Sequence, residues 1–413
     1  MSEGLTPLPE KAQARFQWMR SGPVEKIIRA LTVTNDSAIR FVGGCVRDSL
    51  LGLAPKDIDL ATLLTPDAVI SALRVAGLSA APTGIEHGTV TAIADHVPVE
   101  VTTLRADVST DGRRASVAFT TDWTIDARRR DFTINALYLT PDLKLFDPVG
   151  GLADLAARRV AFIGAAEDRL REDFLRILRF FRFSARFADR FNADGLAACT
   201  ALRAGIAKLS AERVGDEMMN ILALPVAARA VEAMAACGVL AEVWPAPADL
   251  ASLARLKAID PDAAPSLALA ALWGEAGDGV DARLRLANAQ GARRRRAVER
   301  APALTATLSD PAVRALVFRF GDAGFADALL LAEARGDVQS TDGKRLRQTA
   351  RGFTPPALPF SGRDVLAAGL QEGPLVAETL ARAQARWIEE DFPDQRRARA
   401  ILVEEIARIT STG

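Results

Sequence analysis

Asp57 and Asp59 lie two residues apart in the segment KDIDLAT, with Ile58 and Leu60 at the alternate positions. On a strand this spacing turns both carboxylates to one side and the apolar pair to the core. Two hard oxygen donors presented together can hold Mg2+, which bridges phosphate oxygens and lowers the pKa of an attacking hydroxyl. An amphipathic edge strand with solvated aspartates has the same pattern, so the surroundings must decide. Upstream, RFVGGCVRDSLLG runs an apolar strand into Gly43 and Gly44 and then into a predicted helix near Cys45. Glycines let backbone amides approach a phosphate closely, and a helix N-terminus adds free N–H groups and a favourable dipole. Gly44 is thus a candidate phosphate contact, and Arg47, one turn into the helix, a candidate clamp.

These side chains need a scaffold. From about Ile39 to Phe146, short β-branched runs alternate with turns: AIRFVGG, DIDLAT, GTVTAIAD, VPVEVTTLR, ASVAFT, ALYLT and LKLFDPVGG. In VPVEVTTLR, Glu100 alternates with Val99 and Val101, giving one polar and one buried face. From about Ala153 onward, apolar residues recur at helical spacing, as in EDFLRILRFFRFSARF, RVGDEMMNILALPVAARAVEAM and GPLVAETLARAQARWIEED. Proline- and glycine-containing stretches at WPAPADL, DPDAAP and FTPPALPFSG mark breaks between helical parts. The expected class is α+β: a mixed-sheet head over residues 1–160, then an elongated all-α neck (161–245), body (246–350) and tail (351–413).

The 413 residues exceed what one core organises, and 49% hydrophobic with 25% charged residues is ordinary globular usage. The 52 basic and 52 acidic side chains cancel, so a nucleic-acid partner must be held by segregated basic surface. Cys45, Cys199 and Cys237 are far apart and form no CxxC pair, which argues against a disulfide framework and a structural zinc site. Two histidines, His87 and His96, are too few for a histidine-rich metal hydrolase domain in addition to this head. The first residues lack a signal-peptide pattern and no apolar run is long enough to span a bilayer, so a cytoplasmic location is expected.

The string FVGGCVRDSLLGLAPKDIDLAT resembles the signature of the polymerase-beta nucleotidyltransferase superfamily, in the class containing bacterial CCA-adding enzymes and poly(A) polymerases. The resemblance implies a polymerase-beta-like head in which Asp57 and Asp59 bind the metal and Glu100 is the third catalytic carboxylate. ARRRDFTINALYL is similar to a family segment near the nucleotide, which makes Arg130 a triphosphate or sugar contact. LFDPVGGLADL resembles the turn from the last head strand into the connecting helix, with structural roles for Gly150 and Gly151.

REDFLRILRFFRFSAR is expected to form one helix in which Asp173 and Arg176, three apart, are surface neighbours. EDFLR resembles the family's Glu-Asp-x-x-Arg element, to which base selection is assigned. Cytosine and adenine both show an amino donor beside a ring-nitrogen acceptor, whereas guanine and uracil reverse that order. A carboxylate beside a guanidinium matches the first pair and confronts the second with like against like. Arg179 and Arg182 match further nucleotide-facing arginines. LSAERVGDEMMNIL resembles the neck helix, where Glu212 and Arg213 would support the nucleotide-binding helix and Asn220 replaces a frequent basic residue. The run Arg293 to Arg296 is open between a tRNA phosphate contact and a solvated helix face. PFSGRDVLAAGLQEGPLVAETL resembles the bacterial tail, with Gly369 and Gly373 at helix ends.

The implied activity is template-independent addition of CCA to the tRNA 3′ end from CTP and ATP, with Mg2+ as cofactor, tRNA as partner, and neither membrane nor DNA expected. A poly(A) polymerase and a CC- or A-adding relative are the alternatives within enzymes. IEHGTVTAIADHVPVEVTTLR lacks a basic run associated with the poly(A) type, and LRADVSTDGRRASVAFT keeps a loop that CC-adding relatives shorten. A non-catalytic RNA-binding homologue should have lost a carboxylate at position 57, 59 or 100, and all three remain.

Overall fold

A computed structural model describes residues 4–33, 38–107 and 117–412. The loop of LRADVSTDGRRASVAFT compared above, residues 108–116, lies outside the described residues. Two compact units emerge, one of residues 1–221 with 229–245, the other of 222–228 with 246–413.

The first unit carries the sheet. Its strands are β1 (Leu5–Pro7), β2 (Ile39–Val42), β3 (Asp59–Thr62), β4 (Ser79–Gly84), β5 (Thr89–Ala94), β6 (Val97–Thr103), β7 (Arg105–Asp107), β8 (Val117–Phe119), β9 (Tyr138–Leu139) and β10 (Lys144–Phe146). Eight of them form one sheet in the order β1-β10-β9-β2-β3-β6-β5-β4, while β7 and β8 pair separately. β3 and β6 run parallel and the other neighbours antiparallel, so the sheet is mixed and the class α+β. β1 and β4 are absent from the sequence-based expectation. They are the outer edges, with sequences LTP and SAAPTG, where pairing on one side tolerates proline and demands no alternation.

Alternation is strongest in the sheet's interior: Val90, Ala92 and Ala94 of β5 and Val99 and Val101 of β6 are buried. The helices Gly22–Thr32 and Pro66–Val75 pack there, the first burying Val24, Ile27, Ala30 and Leu31, the second Val69 and Leu73. Thr65 caps the second, accepting from the Ala68 N–H at 3.4 Å. A separate cluster joins Val42, Ala61 and Leu104 to Trp123, Ala127, Tyr138 and Phe146.

The predicted single helix over REDFLRILRFFRFSAR is two helices, Ala166–Glu172 and Leu175–Phe187. The break falls at Asp173, whose backbone is extended (φ −153°, ψ 107°) and whose carboxylate accepts from the Leu175 N–H at 3.1 Å. Such a local bond offers the backbone an alternative to the helix. The second helix buries Ile177, Leu178, Phe180 and Phe181, and Phe180 stacks on Phe162 at 5.4 Å. Gly205 is seated on Phe174: a Cβ there would stand 2.1 Å from its ring.

The second unit is helical, with Asn288–Arg300 and Asp322–Arg335 among its helices. Trp387, Ile401 and Leu402 form the core of its C-terminal part together with Phe360 and Val365, and Phe318 packs against it. Gly369 has φ +101° just past the helix Gly362–Ala367, and Gly373 precedes the helix Pro374–Glu389. Among the described residues no helix is long and apolar enough to cross a membrane.

Candidate active site

The parallel β3–β6 pairing sets Asp59 directly across from Glu100 and Leu60 across from Val101. Leu60 and Val101 are fully buried, whereas Asp59 is half-buried and Glu100 exposed, so the two carboxylates share the open face. The expectation that Asp57 and Asp59 alternate along one strand is corrected: β3 begins at Asp59, and Asp57 is exposed in the bend before it. Its partner β2 pairs only as far as Phe41 with Leu60 and then turns at Gly43, leaving no β2 neighbour opposite residue 57.

The other two carboxylates nonetheless act on Asp59. Burial first, then the charge of Glu100, push the Asp59 carboxyl up to about 6; Arg130 opposes this, Asp57 adds to it and Arg47 opposes it. Acidic groups crowded in this way are relieved by a cation. Their oxygens suit Mg2+ by chemistry. Among the described residues no three acidic, cysteine or histidine side chains form a complete ion-holding group. Two aspartates are the number of protein ligands that Mg2+ accepts when phosphates and water complete its shell.

Gly43 sits at φ +72°, ψ −123°, a conformation open to glycine, and leads into the helix Gly44–Leu50. Its N–H donates to the Leu137 carbonyl at 3.2 Å. A Cβ on Gly43 would lie 3.7 Å from Nη1 of Arg130, so the tip of that guanidinium faces the turn. The rest of Arg130 is tied down: Nε donates to the Tyr138 hydroxyl at 3.0 Å and to Asp126 at 3.3 Å, and Nη2 donates to Asp126 at 3.2 Å. The Tyr138 O–H donates to the same Asp126 carboxylate at 2.7 Å, and Arg129 Nε adds a bond of 2.8 Å. Burial raises the Asp126 carboxyl, yet Arg130, Arg129 and Tyr138 together hold it down at about 2.

Arg47 is buried. It donates to Asp48 at 2.8 Å and to the Asn135 side-chain oxygen at 2.5 Å, with Phe187 4.2 Å beneath it. Arg186 reaches the other oxygen of Asp48 at 3.3 Å. Arg179 donates to Asp131 at 2.8 Å and Arg182 to Glu217 at 2.5 Å, and both guanidiniums lie over Phe183. Asp131 also accepts from Asn135 at 3.0 Å. Three helices, Gly44–Leu50, Leu175–Phe187 and Ala211–Leu222, and the RRDFTIN segment are thus cross-linked by charge-assisted hydrogen bonds.

Residues 39–161 match the family described as "Poly A polymerase head domain", and residues 191–250 match "Probable RNA and SrmB- binding site of polymerase A". Residues 39–161 thus carry a poly(A) polymerase head domain, followed by a segment similar to that family's RNA-binding region. It is 44% identical over 201 residues to "CCA tRNA nucleotidyltransferase 1, mitochondrial" of Mus musculus, covering 48% of this chain and 46% of that protein. It is 41% identical over 207 residues to a CCA-adding enzyme of Oceanobacillus iheyensis, covering 49% of this chain and 51% of the relative. The chain thus spans about half the length of these curated relatives. The CCA-adding enzyme of Bacillus stearothermophilus in complex with CTP superposes with a TM-score of 0.75 at 25% identity, covering 94% of this chain and 98% of that one. A Thermotoga maritima CCA-adding enzyme complexed with tRNA shares the fold, with a TM-score of 0.66 at 19% identity over 98% and 97% of the two chains.

The expected Asp173–Arg176 side-chain pair is not formed. Because the helix breaks at Asp173, its carboxylate points elsewhere and accepts from Arg213 at 2.8 Å. Arg176 instead donates to Glu172 at 2.6 Å and to the carbonyls of Arg169 and Arg129 at 2.9 and 3.0 Å. A backbone bond, Arg176 N–H to the Asp173 carbonyl at 3.1 Å, joins the two residues. The run from Arg293 is largely engaged within its own unit. Arg293 forks onto Asp327, while the buried Arg294 and the exposed Arg295 both bind Asp281.

The sequence does not single out Asp48, Asp126, Asp131, Asn135, Tyr138 or Glu217. Asp126 had a local signal, four residues before Arg130 at helical spacing. Asp48, Asp131, Asn135 and Glu217 gain arginine partners 35 to 138 residues away.

Proposed function

We propose that this protein adds CCA to the 3′ end of tRNA, taking CTP and then ATP and releasing pyrophosphate. The observation that carries this reading is the juxtaposition of Asp59 and Glu100 across the parallel β3–β6 pair, beside the Gly43–Gly44 turn and the tip of Arg130. The reaction is in-line attack of the RNA 3′-hydroxyl on the nucleotide α-phosphate. Mg2+, held by Asp57 and Asp59, supplies charge neutralisation at the phosphates and a lower pKa for the attacking hydroxyl. Glu100 completes the acidic face. Gly44 leaves room for phosphate oxygens at the helix start, Arg130 aims one guanidinium nitrogen at the same place, and the buried Arg47 and partly buried Arg179 and Arg182 supply further positive charge.

Base choice falls to Asp173 and Arg176, an acceptor and a donor that together match the edges of cytosine and adenine. Each is held in place by protein groups, Asp173 by Arg213 and Arg176 by Glu172, and each has acceptor or donor capacity beyond those bonds for a base. A base that presents like groups to both leaves them unpaired, which disfavours guanine and uracil. A cytoplasmic location accompanies this reading. The test is to offer CTP, ATP, GTP and UTP separately with tRNAs ending before CCA, at CC and at CCA, and to sequence the products. Stepwise CCA completion that stops is expected; long adenosine tails on unrelated RNA would instead indicate a poly(A) polymerase.

A further inference from the structure

At the glycine turn the Arg130 guanidinium is fixed on one edge and directed to the turn with the other. Asp126 takes hydrogen bonds from Nε and Nη2, Tyr138 takes a second from Nε and returns its own proton to Asp126, and Nη1 is left toward Gly43. The closed triangle has little freedom: Asp126 and Tyr138 are buried, and Tyr138 is wedged edge-to-face against Trp123 at 5.7 Å. A guanidinium is planar, so fixing Nε and Nη2 determines where Nη1 points. Asp126 is also bonded to the Arg105 N–H at 3.2 Å and to Arg129, which anchors the carboxylate independently of Arg130.

We infer that Asp126 and Tyr138 are positioning residues that hold Arg130 in its nucleotide-binding orientation, so that the affinity for CTP and ATP depends on them through Arg130. This rests on the proposed reading of the site. An unsupported arginine at this place would sample several rotamers, and the freedom it must give up to meet a triphosphate would be lost on binding instead of at folding.

The test is a double-mutant cycle on nucleotide affinity, measured by calorimetric titration of CTP and ATP into the full chain without tRNA, with a thermal melt for each variant. Asp126→Asn should weaken nucleotide binding about tenfold in the wild-type background, the size of one well-placed charged hydrogen bond. In the Arg130→Ala background the same change should weaken it by less than about twofold, because the group it positions is gone. Tyr138→Phe keeps the ion pair and the ring packing and should weaken binding by about two- to fivefold, again only while Arg130 is present. Should Asp126→Asn fail to fold, the Tyr138→Phe cycle decides alone. Equal losses with and without Arg130, or no loss in folded variants, would overturn the inference. A wild-type chain that bound neither CTP nor ATP would instead remove the reading of the site on which it stands.

Discussion

Replacing Asp131 with asparagine tests how the candidate site is held together. The Asp131 carboxylate is almost fully buried and accepts from Arg179 at 2.7 and 2.8 Å, from Asn135 at 3.0 Å and from the Phe132 N–H at 2.8 Å. An asparagine has one acceptor oxygen, so its amide must turn hydrogens toward either Arg179 or the Asn135–Phe132 donors. Leaving one partner of a buried pair uncompensated costs about 3–5 kcal/mol. The Arg179 side chain is 32% exposed, so water recovers part of that loss. A destabilisation of about 2–3 kcal/mol at pH 7 is therefore expected. The pH dependence has a definite sign. Burial raises the Asp131 carboxyl, but Arg179, Asn135 and the Phe132 N–H outweigh it and hold it below the usual carboxylate range. Its stabilisation is thus present above the unfolded-state carboxylate pKa and is lost as pH falls through the lower native value. Urea titrations of wild type and Asp131→Asn between pH 7 and pH 3, with unchanged slopes, should show a gap that narrows with acid. A gap below about 0.5 kcal/mol at pH 7, within the range of ordinary surface substitutions, would refute the account of Asp131 as the cross-link.

Asp59→Ala should fold as the wild type yet lose about three orders of magnitude or more in tRNA extension, since metal charge stabilisation is worth several kcal/mol; chelation by EDTA should match it, and excess Mg2+ should reverse only the latter. Extension gels with a circular-dichroism melt check both. Gly43→Ala forces an L residue to φ +72°, ψ −123° and should cost about 1–3 kcal/mol in chemical denaturation, along with a raised KM for CTP and ATP. Gly205→Ala would place a Cβ 2.1 Å from the Phe174 ring, one residue from Asp173. It should destabilise by about 1–3 kcal/mol through overpacking and increase misincorporation of GTP and UTP, read by sequencing product ends. Unaltered base choice in a folded Gly205→Ala variant would separate Phe174 from the placement of Asp173.

Legibility in the sequence followed the range of the interactions involved. The inner strands β5 and β6 announce themselves because both neighbours are present and one face is buried, which enforces alternation. β1 and β4 carry no such constraint and are silent. FVGG and KDIDLAT are local strings whose backbone turn and strand pairing lie within about twenty residues, so the glycine turn and Asp59 are readable. Asp57 is not readable as a strand residue, since the end of β3 is set by where β2 turns away. The break at Asp173 is hidden by good helical periodicity on both sides: a single side chain bonding to the Leu175 N–H outcompetes the helix there. Asp48, Asp131 and Glu217 look like ordinary charged residues until folding delivers a distant arginine.

Under the proposed function, the charges of the site account for how a chain with no net charge would attract a triphosphate. Arg47 and Arg186 share Asp48, Arg129 and Arg130 share Asp126, Arg179 takes Asp131 and Arg182 takes Glu217. Six guanidiniums on four carboxylates leave an excess of positive charge in a partly buried, low-dielectric region, where it acts more strongly than the same charge on the surface. The carboxylates also fix where each guanidinium points, so little reorganisation remains when phosphate arrives. Next to this excess stand Asp57, Asp59 and Glu100, negative and open, with burial and mutual repulsion keeping Asp59 protonated up to about 6. A ligand that is itself anionic at its phosphates and brings a cation satisfies both halves at once, whereas a bare anion or a bare cation satisfies one and is repelled by the other. On the proposed reading of the site, the arrangement favours a metal–nucleotide complex over either component, a preference that the balanced totals of 52 and 52 conceal.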